Sequence, residues 1–266
     1  MTKKNLNKHN YYKMIAFGDR HTFSNDPRID DILLQIIKAS KENLRFIIDL
    51  GDGINADCIS TYDKNLSQLN GLQEELNDDY EFRNNINKIS PHSTKILLKC
   101  NHFTSRFNKL KAKEYWMTDL ELLEQENLFK LKELNWELRD EWIWGKNKIL
   151  FMHGDGGLGV GSQKNVINTS RALAKENHIS IVRGHSHTTG YEVHRKFGEL
   201  LHCIQIGTMY DLRKAPNYIK SGQYLSNWTN SIGVFYCKSN GEDFFYQPVI
   251  INDGECFFEG KYYYAK

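Results

Sequence analysis

Ile179-Ser180-Ile181-Val182-Arg183-Gly184-His185-Ser186-His187 is the stretch on which the fold turns. A short run rich in β-branched residues closes on glycine and then sets two imidazoles two residues apart. The run reads as a buried strand, and imidazoles so spaced rarely serve a core. Four earlier stretches follow the same plan. Met14-Ile15-Ala16-Phe17 leads into Gly18-Asp19-Arg20-His21, and Phe46-Ile47-Ile48 leads into Gly51-Asp52-Gly53. Ile96-Leu97-Leu98 leads into Cys100-Asn101-His102, and Ile149-Leu150-Phe151-Met152 into His153-Gly154-Asp155.

Helical patterns lie between these runs. Ile29, Ile32, Leu33, Ile36 and Ile37 keep the spacing of an amphipathic helix, with Ser24, Asn25 or Asp26 to cap it and Pro27 in its first turn. Leu66, Leu69, Leu72 and Leu76 predict a second helix; Leu128, Leu131, Leu134 and Leu138 predict another; one more is expected around Ser170 to Glu176. Strands alternating with helices predict an α/β (α+β) fold with a largely parallel sheet. Beyond about residue 190, strand-like segments near 191–194, 200–206, 232–237, 243–251 and 255–264 crowd together, with turns at Asn240-Gly241 and Asp253-Gly254. They are expected to form an antiparallel second sheet or sheet edge, giving two mixed sheets flanked by helices.

The 266 residues suit one domain spanning 1–266, since no linker-like stretch divides them. Within it, residues 1–12 read as a flexible basic tail, 103–148 as a helical insertion and 191–266 as mostly antiparallel strands. A formal charge of +2 singles out no polyanionic partner. Five cysteines without a CxxC pair argue against a disulfide framework and against a cysteine-rich zinc site. No leader and no membrane-spanning run is seen, so an intracellular, cytoplasmic protein without a membrane partner is expected. Trp116, Trp136, Trp142 and Trp144 read as core residues.

In open α/β sheets ligands bind beyond the carboxyl ends of the strands, where Asp19, His21, Asp52, Asn101, His153, His185 and His187 all fall. Imidazole nitrogens and oxygen donors without thiolate suit divalent ions such as Mn²⁺, Fe, Zn²⁺ or Mg²⁺. Seven ligands exceed one tetrahedral site, so two ions sharing a carboxylate is the economical arrangement.

With these motifs, from Met14 to His187, the chain resembles the calcineurin-like metallophosphoesterases. Gly207-Thr208-Met209-Tyr210, Trp228 and Gly233-Val234-Phe235 look like the closing segment of phage-borne members. The resemblance implies a four-layer αββα sandwich of the metallo-dependent phosphatase type with two metals, Mn²⁺ first among the candidates. Asp19, His21 and His187 would bind one ion, Asn101, His153 and His185 the other, and Asp52 would bridge them. His102 would act on the leaving oxygen, and Arg106, one helical turn on, would contact a phosphate oxygen. The sequence departs from the family at Cys100 and Phe103, which flank the third motif, and at Asn55 or Asp57, where the second motif commonly carries another acid.

Two cations about 3.5–4 Å apart would clamp a phosphate and acidify a water, whose hydroxide would attack phosphorus. The expected activity is hydrolysis of phosphate esters, with phosphodiesters of nucleic acids or nucleotides (DNA or RNA) foremost. A phosphomonoesterase, or a silent scaffold of the same fold, is the alternative.

Overall fold

The computed structural model describes residues 11–61, 70–146, 148–155, 166–214 and 227–265. Its first sheet takes β1 (Tyr11–Phe17), β2 (Leu44–Asp49), β3 (Thr94–Leu98), β4 (Trp136–Arg139), β10 (Asn230–Lys238) and β11 (Phe244–Ile251), in the order β11-β10-β1-β2-β3-β4. The second takes β5 (Glu141–Trp144), β6 (Ile149–Met152), β7 (Ser180–Arg183), β8 (Gly190–Lys196) and β9 (Glu199–Gln205), in the order β5-β6-β7-β9-β8. In the first sheet β1 to β4 run parallel, while β10 and β11 are antiparallel. In the second, β6, β7 and β9 are parallel between two antiparallel edges. The architecture is therefore mixed α/β, as the alternating pattern predicts. Among the described residues no helix is long and apolar enough to cross a membrane.

Side-chain alternation explains why the two sheets meet. Met14 and Ala16 of β1, Ile48 of β2, and Ile96 and Leu98 of β3 join Trp144, Ile149, Phe151, Val182 and Ile204 of the second sheet in one buried cluster. The intervening residues Ile15, Phe17, Ile47 and Leu97 face the other way. There they meet Ile29, Ile32, Leu33 and Ile36 of α1 (Pro27–Ser40), and Leu76, Phe82 and Ile86 of α2 (Leu72–Ile89). Strands buried on both faces read as continuous apolar runs, which is why the sequence displays them so openly. On the second sheet's far side Ile181 and Cys203 pack with Ala174 of the last helix, Val166–Asn177. Asp26 caps α1, its carboxylate accepting from Arg28 N, and Pro27 opens the first turn.

Three expectations need correction. The leucine spacing over 128–138 is not a helix. α3 (Arg106–Lys113) and a single turn, α4 (Gln125–Leu128), precede it, and Leu138 lies in β4. Lys130 and Asn135 take left-handed φ of 51° and 53°, which breaks a helix, while Leu131 and Leu134 are buried by the irregular chain between them. Residues 103–148 thus carry helices first, and then one strand for each sheet. Of the two arrangements expected for the late strands, the separate second sheet is not formed and the antiparallel sheet edge is: β9 and β8 end the second sheet, β10 and β11 the first. Only the hairpin of β12 (Glu255–Phe258) and β13 (Lys261–Tyr264) stands apart among the described strands. Trp116 is not core, being 66% exposed, whereas Trp136 and Trp144 are buried. Of the second helix, Leu72 and Leu76 lie on α2, while Leu66 and Leu69 are outside the described residues.

Candidate metal centre

The parallel strands of each sheet end on one side and deliver their polar segments to a common rim. Asp19 and His21 follow β1, Asp52 follows β2, Asn101 and His102 follow β3, His153 follows β6, and His185 and His187 follow β7. Backbone bonds tie the segments together. Asp19 N donates to Gly51 O at 2.9 Å, His21 N to Asp52 O at 2.9 Å, and Gly184 N to His153 O at 3.0 Å. His185 N donates to Asp19 Oδ2 at 2.8 Å, which joins the two sheets across the rim.

The local backbone is strained where the chemistry sits. Asp19, His21 and Asp52 each have φ 53°, His185 has 69° and His187 has 60°. A left-handed non-glycine residue costs on the order of 1 kcal/mol and persists only where its surroundings hold it. Asn101 to Ser105 form a turn of π-helix, with Ser105 N donating to Cys100 O; such turns are frequent at functional sites. Gly51, at φ 104°, has no room for a side chain, because a Cβ there would stand 2.7 Å from Cys100 Cβ.

Three groups of ligand-type side chains result: Asp19, His21 and His187; Asp52, His153 and His185; and His21, Asp52 and His102. Within each, one donor atom per residue lies within 4.8 Å of the others, so each group can hold a metal ion. Sharing His21 and Asp52 makes them one constellation. His187 Nε2 lies 3.3 Å from Asp19 Oδ1 and 3.1 Å from His21 Nε2. His153 Nε2 lies 3.1 Å from Asp52 Oδ2 and 2.9 Å from Asn101 Oδ1. His102 Nε2 is 3.9 Å from Asp52 Oδ2.

Hydrogen bonds fix which nitrogens offer lone pairs. Asn55 Nδ2 donates to Thr22 O, so its Oδ1 accepts from His21 Nδ1 at 2.9 Å. His153 Nδ1 donates to Leu50 O at 2.8 Å, and His102 Nδ1 to Asn55 O at 3.2 Å. In their neutral forms these imidazoles therefore turn bare Nε2 atoms inward, the arrangement that outer hydrogen bonds impose on metal-ligating histidines. Asp19 Oδ1 is buried with no hydrogen-bond partner among the described residues. Lone pairs converging on a buried carboxylate oxygen fit a cation.

The charges agree. Burial would raise Asp52, but the imidazoles of His102 and His153 hold it well below the usual carboxylate range. Burial acts likewise on Asp19, and His187 outweighs it. Burial, reinforced by His102 and His187, pushes His21 down to about 3. Burial also lowers His102 and His185; His153 is raised instead, Asp52 overcoming its burial. Near neutral pH both carboxylates are charged and His21 is a free base, the states in which they bind metal, while His153, raised to about 9 by Asp52, would give up its proton on binding.

All seven residues singled out as ligands, together with His102, converge here. Arg106 is engaged in bracing the chain beside the site: its guanidinium donates to Asp57 Oδ1 at 2.7 Å and to Asn55 O. Of the two residues noted after the second motif, Asn55 orients His21 and Asp57 holds Arg106. The Gly207-Thr208-Met209-Tyr210 segment supports the first motif, Thr208 Oγ1 and Met209 N both donating to Asp19 O. A buried ion-pair triad had no signal in the sequence. Arg83 NH2 lies 2.8 Å from Asp49 Oδ2 and its Nε 2.7 Å from Asp79 Oδ2, while Asp49 Oδ1 accepts from Gly51 N at 2.8 Å.

No protein-family model matches the chain, and neither does any curated protein. Among solved structures, TT1561 of Thermus thermophilus aligns over 89% of this chain and 98% of its own, at 7% identity and a TM-score of 0.34. A likeness of that size leaves the activity to be argued from the site. The site itself is a set of buried carboxylate–imidazole groups able to hold metal ions, compatible with a metal-dependent hydrolase.

Proposed function

We propose that this chain is a dinuclear metal-dependent phosphoesterase of the calcineurin-like kind, a single domain with the four-layer αββα arrangement, acting on phosphodiesters before monoesters. The observation that carries the reading is the sharing of Asp52 and His21 among three ligand groups. A shared carboxylate is what a two-ion site requires. Helices packed on the outer face of each sheet support the layered arrangement. In this reading Asp19, His21 and His187 hold one ion, Asn101, His153 and His185 the other, and Asp52 both. Mn²⁺ is put first, with Fe, Zn²⁺ and Mg²⁺ as the other ions compatible with the mixed nitrogen and oxygen donors. When bound, the ions would supply positive charge for a phosphate and acidify a water between them.

The chain's own part is orientation and proton handling. The Asn55 side chain and carbonyl aim His21 and His102, and the bond from His185 N fixes the Asp19 carboxylate. His102 spends Nδ1–H on Asn55 O and presents Nε2 toward Asp52. With Nε2 taking up a proton released by the acidified water, it would pass that proton on to the leaving oxygen, a role worth roughly 10²- to 10⁴-fold in rate.

Turnover of bis-p-nitrophenyl phosphate and p-nitrophenyl phosphate, with Mn²⁺ and with each other candidate metal, tests the reading. Activity on the diester is expected. His102→Ala should lower kcat by at least ~100-fold while metal content stays at the wild-type level. Absence of turnover with every metal would refute the enzyme, and loss of metal in His102→Ala would reassign that residue as a ligand.

A further inference from the structure

α3 leaves the site directly, its first residue Arg106 following the π turn that carries Asn101 and His102. Arg106, Lys109, Leu110 and Lys113 lie three or four residues apart and share one face. That face lines a cleft of about 360 Å³ whose opposite wall includes Ser60 and Thr61. Arg106 is neutralised by Asp57 at the inner end. Lys109 and Lys113 are exposed and make no ion pair among the described residues. Lys111, on the opposite face, is instead paired with Glu124 at 3.0 Å. The free positive charge of the helix therefore lies on the cleft side.

At the helix's far end, Tyr115 and Trp116 stand out, 79% and 66% exposed. Their turn is anchored, since Met117 is buried beneath it and Met117 N donates to Glu114 O at 2.8 Å. Glu114, the acid at this end, accepts the indole N–H of Trp116 at 3.3 Å. An eight-residue helix is about 12 Å long, so the aromatic pair stands a few nucleotides' length from the metal ligands. Unpaired lysines leading to exposed aromatic rings suit a backbone of phosphates whose bases are free to stack. Duplex DNA offers the phosphates but hides the base faces.

We propose that the α3 cleft binds single-stranded nucleic acid, phosphates on Lys109 and Lys113 and bases on Tyr115 and Trp116, and leads the strand to the Asp52–His102 cluster. That the bound strand is also the substrate rests on the phosphoesterase reading; binding itself does not. The two are separated by measuring anisotropy of a short labelled oligothymidylate with full-length protein in EDTA, beside bis-p-nitrophenyl phosphate turnover with Mn²⁺.

Lys109→Glu with Lys113→Glu should weaken oligonucleotide binding about tenfold or more and reduce the slope of log affinity against log salt by about 1.4, two phosphates at about 0.7 each. Trp116→Ala should weaken it about tenfold. Lys132→Glu, a charge change on an exposed turn outside the cleft lining, should bind as the wild type does. Equal binding by all four proteins, or equal binding of the matching duplex, would overturn the proposal. Diester turnover without oligonucleotide binding would overturn it alone; binding without turnover would sustain the strand site and remove the phosphoesterase.

Discussion

Asn55 serves two imidazoles at once, accepting from His21 Nδ1 through its side chain and from His102 Nδ1 through its carbonyl. Removing the amide frees His21 to rotate or to adopt the other tautomer, which turns its lone pair away from Asp19 and His187. Asn55→Ala should therefore lose Mn²⁺ affinity by about 10- to 100-fold with the fold retained, measured by calorimetric titration and circular dichroism. Unchanged affinity would mean that packing alone orients His21. At this scale the sequence was legible where a residue type carries its own chemistry. Asp19, Asp52 and the histidines could be picked out because each follows an apolar run. Asn55 could only be located, since its role depends on a loop that folds back over His21. The Arg106–Asp57 pair was hidden for a related reason: Asp57 comes from a distant stretch of chain.

α2 holds the second motif from beneath through two side chains. Arg83, buried and stacked 4.5 Å from the Trp136 ring centre, joins Asp49 and Asp79. Arg83→Leu would strand two buried carboxylates and should cost about 3–5 kcal/mol in urea unfolding, with partial recovery when Asp49→Asn is added. Glu75 accepts from Ala56 N at 2.7 Å, and burial pushes it up to about 7. Its folded pKa lies above the ordinary 4.5, so the fold favours the protonated form. That contribution, ~3 kcal/mol at most, is whole below about pH 4.5 and lost as pH rises through about 7. Unfolding in EDTA at about pH 5 and about pH 8 should show Glu75→Gln losing less stability than wild type over this interval; equal losses would contradict the assignment. Elements buried on both faces, such as β1, β2 and β7, were legible because apolar runs leave no other reading. β4 and β5 were not. Trp136-Glu137-Leu138-Arg139 and Glu141-Trp142-Ile143-Trp144 are short, and Leu138 completes a helical spacing that the left-handed Lys130 and Asn135 break.

For the whole molecule, the decisive feature is that two sheets pack through the alternate residues of their central strands and so bring their carboxyl ends to one rim. The motifs revealed which residues gather, while the allocation of β8 to β11 between the sheets depended on pairing partners far apart in sequence. The strain at Asp19, His21, Asp52, His185 and His187 is then held by the inter-segment bonds, and a bound cation would offset what remains. Calorimetric titration of EDTA-stripped protein with Mn²⁺, wild type against Asp52→Asn, tests this most directly. Saturable binding of two ions by the wild type, with the shared site lost in Asp52→Asn, is the predicted result. No binding of Mn²⁺, Zn²⁺, Fe²⁺ or Mg²⁺ by the folded wild type would contradict it.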